Sequence, residues 1–238
     1  SLCVGGNLRN FTGEAAGIQA IHVPDHPDGL LARLDDAVAH GADAVVVGGG
    51  DGTIAAAAAR LKGTGAALGI LPLGTMNMLA KDLGIPLELE AAADALATGD
   101  IRAIDVAEVN GQVFLCNSVI GSPSWLGRHR ERHRGKASLS TRMAFALAAL
   151  RAAWQHRPMR LRVELDGRRP VRLWTRALAV ANNRYAEGFG MVMAKPSLER
   201  GELALYVARR YGIWWWVRLI LGMFLGSWRG SRLVHEAA

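Results

Sequence analysis

Through the first hundred residues, short apolar runs alternate with stretches in which apolar positions recur every three or four residues. Residues 19–23, 44–47 and 67–71 read as strands, and residues 30–39, 54–61, 78–83 and 87–97 as helices. Such alternation argues for a parallel α/β sheet. Near residue 105 the period changes to two. Residues 104–108 alternate, Asn110-Gly111 is a strong hairpin signal, and residues 113–119 continue as a strand. A second hairpin is written in Leu161, Val163 and Leu165, the Asp166-Gly167 turn, and Val171, Leu173 and Thr175. Residues 177–181 and 203–207 read as further strands, and residues 139–155 as one inserted helix. The pattern divides the chain into an α/β domain over residues 1–105 and an antiparallel, β-sandwich-like domain over residues 106–238.

The chemistry sits at strand ends. Ala44-Val45-Val46-Val47 empties into Gly48-Gly49-Gly50-Asp51-Gly52-Thr53, and a helix follows. A strand that passes through glycines into a helix N-terminus leaves backbone N–H groups aimed at one spot, which suits phosphate. Glycines allow close backbone approach. Asp51 would repel a bare phosphate, so it points to a metal, a hydroxyl or a proton at the same place. The loop lacks the Gly-Lys-Ser/Thr ending of a Walker loop and the spacing of the dinucleotide fingerprint. A second turn, Leu71-Pro72-Leu73-Gly74-Thr75-Met76-Asn77, also ends a strand and opens a helix. Thr75 and Asn77 are candidates to contact phosphate or a ribose hydroxyl, and two such turns on neighbouring strands would enclose one nucleotide.

Charge adds an asymmetry that the net value of +7 hides. Residues 1–105 hold 6 Lys+Arg against 13 Asp+Glu, whereas residues 106–238 hold 22 against 8. The basic half is expected to face something anionic. An anionic membrane surface is preferred to nucleic acid, because no nucleic-acid recognition motif accompanies the charge. Residues 213–225 form the longest apolar stretch, broken by Arg218 and too short to span a bilayer, with Trp214, Trp215 and Trp216 inside it. Two readings of it stay open: a helix in the membrane interface, or one buried on the β domain or on a second copy in a homodimer. The basic run from Arg128 to Lys136 is either a solvated loop or a lid. Two cysteines, Cys3 and Cys116, give no disulfide framework and suit a reducing, cytoplasmic compartment.

Taken together, the residues resemble the diacylglycerol kinase catalytic family. Gly49-Gly50-Asp51-Gly52-Thr53 resembles its GGDGT loop, which NAD kinases and phosphofructokinases share. Pro72-Leu73-Gly74-Thr75 with Asn77 resembles its PLGTxN turn, and Leu83-Gly84-Ile85-Pro86 continues the likeness. The entry into a second domain at Ile104-Asp105-Val106, Asn117-Ser118 and Gly121, and then Ala181-Asn182-Asn183, fits too. The resemblance implies an ATP- and Mg²⁺-dependent kinase for a membrane lipid hydroxyl, peripheral to the inner membrane face. ATP would contact Gly48, Gly49, Gly50, Gly52, Thr53, Gly74, Thr75 and Asn77, and Asp51 would act near the transferred phosphoryl group. Departures are visible. Ala55-Ala56 and Met78 stand where acidic or amide residues are common. Glu199-Arg200-Gly201 replaces a metal-binding Asp-Asp-Gly segment, and a guanidinium cannot ligate a cation. No late Asp-Gly-Glu segment and no opening strand with Asn-Pro is present in this sequence. A longer parent chain, a non-catalytic nucleotide- or lipid-binding member, and a small-molecule kinase of the NAD-kinase type therefore stay open as alternatives.

Overall fold

The computed structural model describes residues 2–4, 27–121, 158–175, 177–186, 195–208 and 234–237. The strand expected at 19–23, the inserted helix at 139–155, the basic run at 128–136 and the tryptophan-rich stretch at 213–225 lie outside the described residues. Two compact units divide the chain. One is Ser1–Cys116 with Ala194–Gly201, and the other is Asn117–Met193 with Glu202–Ala238. The sequence pattern changes at 105, but the packing boundary falls at Cys116, and a late segment returns to the first unit.

The first unit is an α/β sheet. Its strands are β1 (Leu2–Val4), β2 (Ala44–Gly49), β3 (Ala67–Pro72) and β4 (Arg102–Ile104), in the spatial order β2-β3-β1-β4. β2 and β3 run parallel, as do β3 and β1, while β4 closes the sheet antiparallel to β1. The sheet is thus parallel except at that edge. A strand does occupy the start of the chain, although the opening residues carry no Asn-Pro signal. Side chains alternate across β3. Leu68 and Ile70 pack with Ile54, Ala57, Ala58 and Leu61 of α2 (Asp51–Leu61) and with Leu34 of α1 (Pro27–Ala39). The alanine run of α2 lets that helix lie close to the sheet, with Ala57 and Ala58 fully buried. Gly69 faces the other way, where an added Cβ would come within 3.3 Å of Leu96 on α4 (Leu89–Thr98). Helices therefore cover both faces. The short α3 (Met78–Asp82) follows the second turn.

Two expected strands are broken. In place of one strand over 104–108 there are β4 and β5 (Ala107–Val109), separated at Asp105. In place of one strand over 113–119 there are β6 (Gln112–Phe114) and β7 (Asn117–Gly121), separated at Leu115-Cys116. Both breaks meet the returning segment. The Asp105 N–H donates to the Leu198 carbonyl at 2.7 Å, and the Gly201 N–H donates to Asp105 Oδ2 at 2.6 Å. The Leu115 and Cys116 carbonyls accept from Lys195 Nζ at 3.3 and 3.1 Å. These groups leave the β ladders because they are used here. Asn110 and Gly111 both have positive φ, 50° and 78°, as a tight hairpin between β5 and β6 requires.

The second unit is antiparallel. β10 (Ala177–Asn182) lies between β7 and β11 (Leu203–Ala208), and β12 (Val234–Ala237) flanks β11. Ala181, Ala204, Tyr185 and Tyr206 cluster on one face of this sheet. On the other face Leu178, Leu205 and Val207 meet Leu161, Val163, Leu165 and Leu173 of the hairpin β8 (Met159–Val163) and β9 (Val171–Thr175). Sheet and hairpin form the two layers that the alternating pattern predicts. Among the described residues no helix is long and apolar enough to cross a membrane.

Leu68, at 0% exposure, fills the centre of the first core. Leu68→Ala is expected to lower stability by about 2–5 kcal/mol, the range for buried leucine truncations, as read from the unfolding of the first unit in denaturant.

Candidate functional site

The two glycine-bearing turns meet at the carboxyl ends of β2 and β3, where open α/β sheets bind ligands. Gly49 and Pro72 are register partners, so both strands end side by side. Gly50 caps α2 in an extended conformation and supplies no side-chain hydrogen bond. The first helical bond runs from Ile54 N–H to the Gly50 carbonyl at 3.0 Å, so the N–H groups of Asp51, Gly52 and Thr53 precede the helical ladder.

Internal packing explains most of the glycines. A Cβ on Gly48 would meet Leu73 Cδ1 at 2.9 Å, and one on Gly49 would meet Thr53 Cβ at 2.6 Å. A Cβ on Gly74 would lie 2.4 Å from the Gly50 Cα, so here two backbones touch with nothing between them. Gly52, by contrast, faces open space, with nothing within 4 Å of an added Cβ. The Leu73 N–H donates to the Gly49 carbonyl at 3.1 Å and ties the turns together.

Asn77 and Asp51 lock this joint. Asn77 is buried, with φ of 47°. Its Oδ1 accepts from Gly74 N–H at 2.9 Å, and its Nδ2 donates to the Pro72 and Gly74 carbonyls at 3.0 and 2.9 Å. One donor and two acceptors around the amide fix which atom is oxygen. The side chain expected to meet a nucleotide therefore shapes the turn that Thr75, which is exposed, projects from. Asp51 Oδ1 accepts from Met78 N–H at 2.7 Å and from Leu79 N–H at 3.4 Å. The acid that looked out of place in a phosphate loop thus caps the helix that begins at the neighbouring turn. No described residue donates to its Oδ2. Beneath the joint, Asp51, Asn77, Ile70 and Ala80 help to line a cavity of about 10 Å³, room for one water.

A buried charge cluster supports α3 from its other end, and no sequence motif announced it. Lys195 and Asp82 are 0% and 4% exposed at their side chains, with Nζ 3.7 Å from Oδ2. Lys195 N–H also donates to Asp82 Oδ1 at 3.4 Å. Burial pushes the Asp82 carboxyl up, and the Lys195 ammonium opposes that shift. Burial pushes Lys195 down, against the pull of Cys116 and Asp82. Each partner's charge favours the ionised form of the other, in a site whose burial favours neutral groups. The Cys116 thiol beside them is pushed up to about 12 by burial, which leaves it unreactive at neutral pH. The remaining part of the returning segment is the Glu199-Arg200-Gly201 turn. Asp105 fastens it through Gly201 N–H, and Arg200 is exposed.

Two substitutions separate these effects. Gly74→Ala is expected to lower stability by about 1–3 kcal/mol, because its Cβ meets backbone that cannot swing aside, whereas Gly52→Ala, in a helix and facing open space, does not lower the melting temperature. Lys195→Met strands a buried carboxylate and is expected to cost about 3–5 kcal/mol near neutral pH. Without the ammonium, the folded-state pKa of Asp82 rises further above its unfolded value of 3.8. Protonation then favours the folded state. The deficit against the parent should be smallest below the unfolded value and grow as pH rises through the folded one. Melting curves of both proteins across acidic and neutral pH check this.

Comparison with known proteins follows the same residues. The diacylglycerol kinase catalytic domain family matches residues 10–109. A probable lipid kinase, YegS-like, of Pseudomonas aeruginosa is 51% identical over 92 residues, which is 37% of this chain and 30% of that protein. Its namesake in Citrobacter koseri is 42% identical over 92 residues, 37% of this chain and 31% of that protein. The matched stretch thus spans less than a third of the length of these relatives. The crystal structure of a diacylglycerol kinase from Bacillus anthracis superposes with a TM-score of 0.66 at 22% identity, covering 91% of this chain and 71% of that one. Another structure from the same organism gives 0.69 at 21% identity, covering 98% and 81%. At these identities the structural likeness is one of fold. The stretch that matches the diacylglycerol kinase catalytic domain family takes in the glycine loop and the turn it touches.

Proposed function

We propose that this chain binds ATP with Mg²⁺ and transfers the terminal phosphoryl group to a hydroxyl of a membrane lipid at an anionic surface. The observation that carries the reading is the joint itself: two turns at adjacent strand ends, held by Asp51. Phosphoryl transfer needs positioning and charge compensation more than covalent chemistry. The N–H groups of Asp51, Gly52 and Thr53 supply donors for phosphate at a helix N-terminus. The Thr75 hydroxyl supplies another from the facing turn.

Mg²⁺ is commonly held by one or two carboxylates together with substrate phosphates. Asp51 fits this use, since Oδ1 is fixed by α3 and Oδ2 accepts from no described residue. When bound, the cation neutralises charge on the phosphates. The chain's own part is to hold Asp51 at a fixed angle between the turns, where its carboxylate can face a cation or accept the proton of an acceptor hydroxyl.

A second reading is a protein that binds nucleotide or lipid without turnover. It draws on the turn at Glu199-Arg200-Gly201, which Asp105 closes and in which Arg200 replaces a carboxylate. Calorimetry with ATP and an assay with labelled ATP and total lipid separate the two. Binding without a phosphorylated lipid supports the second reading, and a labelled lipid supports the first.

Asp51→Asn keeps an oxygen for the α3 cap and removes the charge. Phosphoryl transfer is expected to fall about a hundredfold or more while the melting temperature holds. Transfer at the parent rate by a folded Asp51→Asn protein would remove Asp51 from the mechanism.

A further inference from the structure

The outer face of the β8–β9 hairpin carries charge that nothing in its own fold explains. Leu161, Val163, Leu165 and Leu173 point inward onto the sheet. The alternate positions Arg160, Arg162, Arg172 and Trp174 are exposed, Trp174 at 65%. Arg162 and Arg172 are direct cross-strand partners. Like charges placed opposite each other destabilise an antiparallel pair. Arg168 and Arg169, also exposed, extend the charge into the turn, where Glu164 and Asp166 are the nearby acids. No described carboxylate forms an ion pair with any of these five arginines. The next cross-strand pair places Arg160 over the Trp174 ring, with the guanidinium carbon 5.5 Å from the centroid. That contact holds a cation against a large apolar surface in water.

We propose that this hairpin face docks on an anionic lipid bilayer, with Trp174 seated at headgroup level and the arginines on lipid phosphates. Repulsion between Arg162 and Arg172 is a cost to the isolated protein that a negatively charged plane relieves. These exposed side chains spread over two strands and their turn, so the face suits an extended surface better than a small free anion. Tryptophan favours the bilayer interface, and arginine near an anionic leaflet gains from its potential. A single-stranded nucleic acid is served by successive aromatic side chains, and this face presents one. The choice of a bilayer over other polyanions rests on the lipid-kinase reading above.

Flotation of the protein with vesicles tests this, using phosphatidylcholine alone and phosphatidylcholine mixed with phosphatidylglycerol. The parent should float with the anionic vesicles and not with the neutral ones, and less so as salt rises. Arg162→Gln with Arg172→Gln should lower partitioning about 25-fold, at roughly fivefold per arginine. Arg168→Gln with Arg169→Gln gives a second variant with the same expected direction. Trp174→Ala should weaken binding and leave a remainder that salt abolishes. Arg102→Gln, exposed on β4 of the other unit, should partition like the parent. Arg172→Gln should not lower the melting temperature, since it removes a like-charge pair.

Parent-like partitioning of both double variants overturns the proposal, as does equal binding to neutral vesicles. Arginine-dependent binding to RNA with none to anionic vesicles also overturns it and assigns the face to nucleic acid. The two readings fail separately. If no lipid is phosphorylated but vesicle binding follows the arginines, the docking face stands and the kinase reading falls. If the double variant phosphorylates detergent-dispersed lipid at the parent rate but has lost vesicle binding, both stand.

Discussion

The first unit hangs on one ammonium group. Lys195 Nζ sits beneath the Leu115 and Cys116 carbonyls and beside the Asp82 carboxylate, with its side chain excluded from solvent. A buried cation is tolerated only when its surroundings answer its charge, and here the answer comes from chain segments far apart in sequence. The same contact ends β6, seats the returning segment and holds the last residue of α3. Asp105 does the matching work at β4 through Leu198 and Gly201. The β strands beside the unit boundary are short because their polar groups are engaged in this clasp.

From that clasp the constraint passes along α3. Asp82 fixes the end of the helix and Asp51 fixes its start, so a helix of five residues, too short to be stable alone, is held at both termini. The start of α3 is also the end of the second turn, and Asn77 shapes that turn from within. Asp51 thus has a conformational reason to be in the loop, beside the chemical one proposed for it. A carboxylate with one oxygen bound to a helix terminus is already oriented, which is what a group that must face a cation or a hydroxyl needs.

Much of the first unit was legible in the sequence, because strands and helices there follow apolar periodicity and the glycine turns mark strand ends. β2, β3 and α2 lie where Ala44 to Val47, Ala67 to Leu71 and Ile54 to Leu61 place them. Asn110-Gly111 and Asp166-Gly167 identified their hairpins through backbone preference alone. The unread features depend on contacts across the chain. The breaks at Asp105 and Leu115-Cys116 fall inside good β sequence, and only a lysine some eighty positions on explains the second. Lys195 itself follows a plain apolar stretch and matches no motif. The structural role of Asn77 was unreadable for a related reason: its three internal partners, which make it shape the turn, appear only once the chain is folded.

The backbone contact between Gly50 and Gly74 carries a consequence for how the loop can respond to ligand. With no side chain between them and the Leu73 N–H on the Gly49 carbonyl, the turns that follow β2 and β3 are packed backbone to backbone. A displacement of one turn would press on the other, so a ligand that moved either would meet the resistance of both. At Gly74 the close approach to Gly50 leaves no room for a side chain, so any change of side chain near this contact is confined to positions such as Gly52 that face open space.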